Sequence, residues 1–240
     1  MSNEIRDAGM KDLQNEIIEH VERSGVDMVG FGPFDVLDDV KKTGDGRFDL
    51  PNAICMAAEL PLEAVREAKD GPSEALRESY KVANKKMMGA AAGIVEKLEA
   101  AGYSGRIVHP AERVDTENLV GPVSLKAVAR SCGMGWIGKN GLMLTDRFGP
   151  RQRFLAILTD MPLLETPATR ECECGDCREC IDNCAMKVLN DQTFRDRPPS
   201  RDSTIDWQRC GRFELKLIGD GSRPERACGK CMAYCPRSYP

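Results

Sequence analysis

Nine of the eleven cysteines in this chain fall between Cys172 and Cys235; only Cys55 and Cys132 lie outside. Within that stretch, Cys174-Gly-Asp-Cys177-Arg-Glu-Cys180-Ile-Asp-Asn-Cys184 reads C-x₂-C-x₂-C-x₃-C. A second run, Cys228-Gly-Lys-Cys231-Met-Ala-Tyr-Cys235-Pro236, repeats its ending, and Cys210 stands between the two. Short loops of this spacing point three thiolates at one iron–sulfur cubane, while the fourth turns away to a second cluster. Counting ligands then gives one [4Fe–4S] cluster on Cys174, Cys177, Cys180 and Cys235, and another on Cys184, Cys210, Cys228 and Cys231, with Cys172 left over. Ala185 departs from the Pro that usually closes such a run, but that Pro shapes an exit turn and supplies no ligand. Zinc is the nearest alternative, with Cys174/Cys177 and Cys228/Cys231 paired as a zinc ribbon. Disulfides need an oxidising compartment. The first twenty residues carry Glu4, Asp7, Asp12 and Glu16, which does not suit a secretory signal. A cytoplasmic location is therefore expected, and the cysteines read as metal ligands.

Composition limits the function class. With 41% hydrophobic and 30% charged residues, the 240-residue chain reads as globular, with length for one or two domains. Its 34 Lys and Arg against 38 Asp and Glu leave a net charge of −4, so neither nucleic acid nor an anionic membrane is an expected partner. Aromatic residues, at 5%, are too sparse for rows of base-stacking rings. Apolar runs such as Phe154–Leu158 are far too short to span a bilayer.

Ahead of the cysteines, helix and strand signals mix without steady alternation, which predicts an α+β fold. Leu13, Ile17, Ile18 and Val21 share a helical face that Gly25 ends. Val26–Phe31 reads as a short strand and Ala53–Ala57 as a further apolar run. A long helical pattern runs from Ser73, an N-cap, to Ala101, with Gly102 as its stop. Arg106–His109 reads as a strand and Val123–Cys132 as a helix ended by Gly133. Leu142–Thr145 and Phe154–Thr159 read as strands joined by the turn Asp146–Pro150. Composition shifts near Pro162–Thr169, which divides the chain into expected domains 1–165 and 166–240.

Gly133-Met-Gly135-Trp-Ile-Gly138 formally matches a dinucleotide fingerprint, with Asp160 about 20 residues on. Its context is wrong, because a helix rather than a strand precedes it and turn signals follow it. What remains is the loop Gly135-Trp136-Ile137-Gly138-Lys139-Asn140. Glycines let backbone approach a ligand, Trp offers a flat apolar face and Lys a charge for phosphate. A tight turn holding a helix against a strand is the other reading.

The stretch Gly121-Pro-Val-Ser124-Leu-Lys126 through Gly133-Met-Gly-Trp-Ile-Gly-Lys-Asn-Gly-Leu-Met-Leu-Thr145 is followed by Phe148-Gly-Pro-Arg-Gln-Arg153 and Leu158-Thr-Asp-Met-Pro-Leu163. With the double cysteine run, it resembles the epoxyqueuosine reductase family, which is related to the reductive dehalogenases. Val26-Asp-Met-Val-Gly-Phe31, Tyr80, Asn84 and Gly102-Tyr103 carry the resemblance into the first half. The chain stops at the second cysteine run, without the helical-repeat tail of the RNA-modifying members, and looks like the family's short form. The resemblance implies a nitroreductase-like α/β sandwich that binds cobalamin in place of flavin, followed by a ferredoxin-like domain whose clusters feed electrons to the cobalt. It implies that Gly135, Trp136, Gly138, Lys139 and Asn140 lie against the corrinoid, with Ser124 and Lys126 as further candidates. One position departs: the family's proton-donating acid, three residues before the match to Pro122, is here Leu119, with Asp115 and Glu117 nearby.

The expected activity is thus a corrinoid-dependent reduction, fed by a low-potential electron donor, of a substrate other than epoxyqueuosine in RNA. The alternative is an electron-transfer or activating partner of a corrinoid protein or another redox enzyme. Tyr80 reads as a structural phenol before a proton donor. His20 and His109 have no paired His for zinc. Met87, Met88 and Met134 read as core, Cys132 as a buried thiol, and Lys41-Lys42 and Lys85-Lys86 as solvated faces.

Overall fold

In the computed structural model, which describes residues 3–34, 49–112, 121–163, 170–195, 198–216 and 227–239, the apolar run at Ala53–Ala57 lies in a strand buried on both faces. Strands β1 (Met28–Pro33), β2 (Asn52–Glu59), β3 (Gly105–Val108) and β6 (Gln152–Thr159) form an antiparallel sheet in the order β1-β2-β6-β3. The side-chain period of two sorts its residues between two cores. Ile54, Met56 and Ala58 of β2 join Leu155 and Ile157 of β6 on one face. Ala53, Cys55 and Ala57 join Phe154, Ala156 and Leu158 on the other.

Helix α1 (Asn3–Arg23) and the long α3 (Glu74–Ala100) cover the first face through Ile17, Val21, Met87, Ile94 and Leu98. The Ser73 hydroxyl accepts the Leu76 N–H at 3.0 Å, so the expected N-cap is made. Helix α4 (Leu125–Ser131) covers the second face through Val128 and Ala129, shorter at its start than the sequence pattern predicts. The short α2 (Leu62–Glu67) and the ribbon of β4 (Trp136–Ile137) and β5 (Met143–Leu144) have no counterpart, or only a partial one, in the sequence reading. The helix before Gly133 and the strand after Gly135 bear out the rejection of the dinucleotide motif. Asp160 instead accepts the Ser104 N–H at 2.7 Å. The architecture is mixed α+β.

The cysteine-rich part contributes α5 (Glu179–Asp182), α6 (Trp207–Lys216), α7 (Lys230–Ala233) and a 3-10 turn at Pro236–Ser238. Its Ala227, Met232 and Ala233 enter the same core as Ile54 and Leu155. Ser73 and Ala227 exchange backbone hydrogen bonds of 2.8 and 2.9 Å. Gly229, at φ +60°, lets α7 close on α3, because a Cβ there would lie 2.3 Å from Leu76. Buried Arg151 donates from Nε to the Ser238 carbonyl (2.7 Å) and from Nη1 to the Leu60 carbonyl (2.9 Å), and pairs with Glu59.

Met87 and Met134 are buried and Met88 packs on the core. His20 meets the Ala90 carbonyl at 3.0 Å, a structural contact. Lys85 is solvated, but Lys86 corrects its expectation: half-buried, it pairs with Asp27 at 3.3 Å. Lys41 and Lys42 lie outside the described residues. Among the described residues, no helix is long and apolar enough to cross a membrane.

Candidate functional site

Eight of the tail cysteines fall into two neighbouring groups. In the first, burial, and after it the thiols of Cys174, Cys235 and Cys177, push Cys180 up to about 12. Burial also pushes Cys235 up to about 11, against a backbone N–H from Arg237, with Cys174 and Cys177 beside it. In the second, Cys184, Cys210, Cys228 and Cys231 line one cavity of about 60 Å³. Burial, then Cys228, Cys210, Cys180 and Cys184, raises the Cys231 thiol. Crowded buried thiols resist ionising together unless a cationic group takes the charge. The two C-x-x-C pairs fall in different groups, which is not the pairing of a zinc ribbon. All eleven cysteines are free thiols. Among the described residues, no three His, Cys, Asp or Glu side chains close on the point of a single ion. An all-thiol donor set in two quartets fits iron–sulfur clusters.

The glycine-rich loop lies between these groups. Gly135 has φ +154°, and a Cβ there would lie 1.8 Å from the Leu144 carbonyl oxygen, so only glycine fits. At Gly138 a Cβ would meet Leu144 at 2.7 Å and the Cys174 sulfur at 3.3 Å. The Lys139 N–H donates to Cys174, and its ammonium, on a residue only 8% exposed, lies 3.0 Å from Asp191. The other Asp191 oxygen pairs with Arg178. Asn140 donates to the Cys231 carbonyl at 3.3 Å and accepts the Leu142 N–H at 3.0 Å. Lys126 donates to the Gly141 carbonyl at 2.5 Å. Burial and then Arg201 lower its pKa to about 8, opposed by Cys231 and Cys210. Ser124 begins α4, is exposed and makes no capping bond with its side chain.

Trp136 is 0% exposed. It belongs to a small buried cluster with Leu144 and Cys235, against which Leu142 and Cys172 pack. The guanidiniums of Arg170 and Arg237 lie 4.6 and 5.0 Å from its ring centroid. Cys172, the leftover thiol, donates to Cys174 and so lowers the Cys174 pKa. Thus four of the seven residues expected at a cofactor, Trp136, Lys139, Asn140 and Lys126, engage the cysteine groups or the loop's own backbone. The sequence reading missed Asp191, Arg170 and Arg237. Arg170 and Arg237 flank the cysteine runs, a weak signal; Asp191, at φ +51°, carries none.

Away from the cysteines, Tyr80 is half-buried, with the Arg153 guanidinium 4.8 Å from its ring centroid. A cleft of about 410 Å³ is lined by Gln14, Met28, Phe31, Cys132, Met134 and Arg147, among others. Leu119, Asp115 and Glu117 lie outside the described residues.

No family model matches the chain. Over 127 residues it is 35% identical to an epoxyqueuosine reductase of Xanthomonas campestris, covering 48% of this chain and 32% of that one. Over 123 residues it is 30% identical to a tetrachloroethene reductive dehalogenase of Desulfitobacterium hafniense, covering 45% and 21%. The chain's matched segment thus spans about a third or less of these curated relatives. The structure of epoxyqueuosine reductase from Streptococcus thermophilus matches the fold with a TM-score of 0.60 at 22% identity, over 94% of this chain and 66% of that one. A reductive dehalogenase, whose structure suggests a mechanism for B12-dependent dehalogenation, matches with 0.65 at 16% identity, over 90% and 30%. The chain is a relative, in sequence and in fold, of the epoxyqueuosine reductases and reductive dehalogenases.

Proposed function

We propose that this chain is a corrinoid-dependent iron–sulfur reductase. In this reading Cys174, Cys177, Cys180 and Cys235 hold one [4Fe–4S] cluster, and Cys184, Cys210, Cys228 and Cys231 hold a second. Residues 1–165 form a nitroreductase-like domain for the corrinoid, and residues 166–240 a ferredoxin-like domain for the clusters. The observation that carries the reading is the grouping of eight thiols into two quartets that both abut the Gly135–Gly141 loop. A bound corrinoid would supply a cobalt centre that accepts single electrons. The chain's own part is to hold its surroundings: Gly138 and Lys139 lie against Cys174, and Asn140 and Lys126 tie the loop to the second quartet. Cys177 is exposed, which opens the first cluster to a low-potential electron donor. Leu119 has no proton to give where the epoxyqueuosine reductases carry an acid, so the substrate proposed is not epoxyqueuosine.

The test is anaerobic purification followed by titration with cob(II)alamin. About eight iron and eight acid-labile sulfide per chain are expected, together with saturable binding of the corrinoid. Stoichiometric zinc without sulfide would overturn the cluster assignment. A cluster-loaded protein that ignores every corrinoid offered would overturn the cofactor assignment.

A further inference from the structure

Trp136 Nε1 has no hydrogen-bond partner among the described residues, although the residue is fully buried. An indole N–H can only donate, and leaving it unpaired away from water is costly. Two guanidiniums contact its ring. Arg170 lies over it and pairs with Asp146 and Glu173; Arg237 also lies against it and pairs with Glu173 at 3.2 Å. The same buried cluster contains Cys235, with Cys172 packed against it. An orphaned donor beside thiols that fit a cluster has an evident acceptor in the sulfur of that cluster.

Both quartets have charged groups near them. The first already receives the N–H of Lys139 and the S–H of Cys172 on Cys174, and the N–H of Arg237 on Cys235. The charges of Lys139 and Arg237 also face Cys174. The second lies in a cavity walled by Met186, Val188, Leu189, Ile205 and Phe213. Lys230 also lines that cavity, and the Lys126 ammonium, which donates to the Gly141 carbonyl, faces Cys231 and Cys210.

We propose that Trp136 donates its indole N–H to the first cluster, and that this bond raises that cluster's reduction potential. The inference rests on the two-cluster reading above. Reduction adds negative charge to a cluster, and hydrogen bonds to its sulfurs, nearby cations and solvent exposure all favour that added charge. Trp136 is a positioning residue here, acting on the cluster rather than on substrate.

The experiment is an anaerobic redox titration of cluster-loaded protein, followed by electron paramagnetic resonance, after iron and sulfide per chain have been counted. Two separate reduction steps are expected. Trp136→Phe keeps an aromatic ring beside the two arginines and removes the donor, so it should lower one step and leave the other in place. Lys126→Met should lower the other step, which identifies it as the second cluster's. The inference is overturned if Trp136→Phe moves neither step, moves both equally, or moves only the step that Lys126→Met moves. A measurement on the unsubstituted protein guards against a variant that fails to load. With isotope-labelled indole nitrogen, the partly reduced protein should show a hyperfine coupling from one tryptophan, and Trp207→Phe should retain it. Absence of that coupling in protein with full iron and sulfide overturns the inference alone. Absence of the clusters overturns the reading beneath it.

Discussion

The sheet and the cysteine-rich tail are stabilised in different ways. In the sheet, β2 and β6 bury side chains on both faces, and helices of up to 27 residues seal them. Each large apolar side chain buried there contributes about 1.5–3 kcal/mol relative to exposure. The tail has helices of 4, 10 and 4 residues, too short to persist alone in water. Its apolar residues Ala227, Met232 and Ala233 complete the core of the other region. Its own interior is small, with Ile181 and Val188 beside the thiols of Cys180 and Cys235. A region built this way is expected to depend on bound metal for its order, whereas the sheet depends on packing.

The largest expected effect follows directly. Stripping the metal with a chelator and a mild oxidant should unfold the tail and spare the sheet. In hydrogen exchange, amides of residues 170–195 and 227–239 should lose at least about a hundredfold protection, while β2 and β6 keep most of theirs. Equal loss in both regions would show that they open as one unit and that the contrast is false.

A smaller effect is expected where the two regions touch. Gly149 has φ +55°, and a Cβ there would lie 1.9 Å from the Arg237 carbonyl oxygen. Backbone cannot yield as a side-chain tip can, so Gly149→Ala should cost about 3 kcal/mol and loosen the docked C-terminal turn. Gly175, inside the first cysteine run, has a similar φ of +50° but nothing within 4 Å. Gly175→Ala should therefore cost only the left-handed backbone penalty, about 1 kcal/mol. Thermal unfolding of the two cluster-loaded variants measures the difference. Equal losses would mean that the junction at Arg237 gives way without consequence.

Legibility in the sequence divides along the same line. The long helix α3 was readable from Ser73 and the periodic Leu76, Ala83, Met87 and Ile94, because cap and period are local signals. The run at Ala53–Ala57 was readable as apolar, but not as a strand shared between two cores, since only the completed sheet separates odd from even residues. The grouping of the thiols was readable, because short spacings between cysteines bring their sulfurs together. The role of the loop was not. Trp136 was expected to offer an open face, yet Arg170 and Arg237, from opposite ends of the cysteine region, meet around it. The partner of Lys139 is Asp191, 52 positions on, and no local pattern links such a pair. Cys172 looked surplus by count, and its contact with Cys174 emerges only in three dimensions.

The smallest effect separates the thiols of the sheet from those of the tail by their response to alkali. Cys132 is buried against β2, and burial pushes its thiol up to about 12, with hydrogen bonds from Ser131 and Cys55 pulling it partway back. Burial, and then the proximity of Cys132, raises Cys55 as well. An ordinary thiol titrates near 9.0. Between that value and about 12 the folded protein therefore holds protons that the unfolded chain has released. Stability from these groups is complete below the ordinary thiol value and falls as the pH climbs towards the folded one. At a pH near 10 the loss from Cys132 amounts to about 1 kcal/mol. In cluster-loaded protein the eight ligand thiols do not titrate, and any slope from Cys172 is common to the two chains compared. Anaerobic urea unfolding, followed by circular dichroism at pH values near 8 and near 10, should show a shallower alkaline loss in Cys132→Ala than in the parent chain. The baseline cost of the missing sulfur cancels, because only the change between the two pH values is compared. Identical slopes would place the Cys132 thiol in contact with solvent and end the distinction between a sheet sealed by packing and a tail sealed by its ligands.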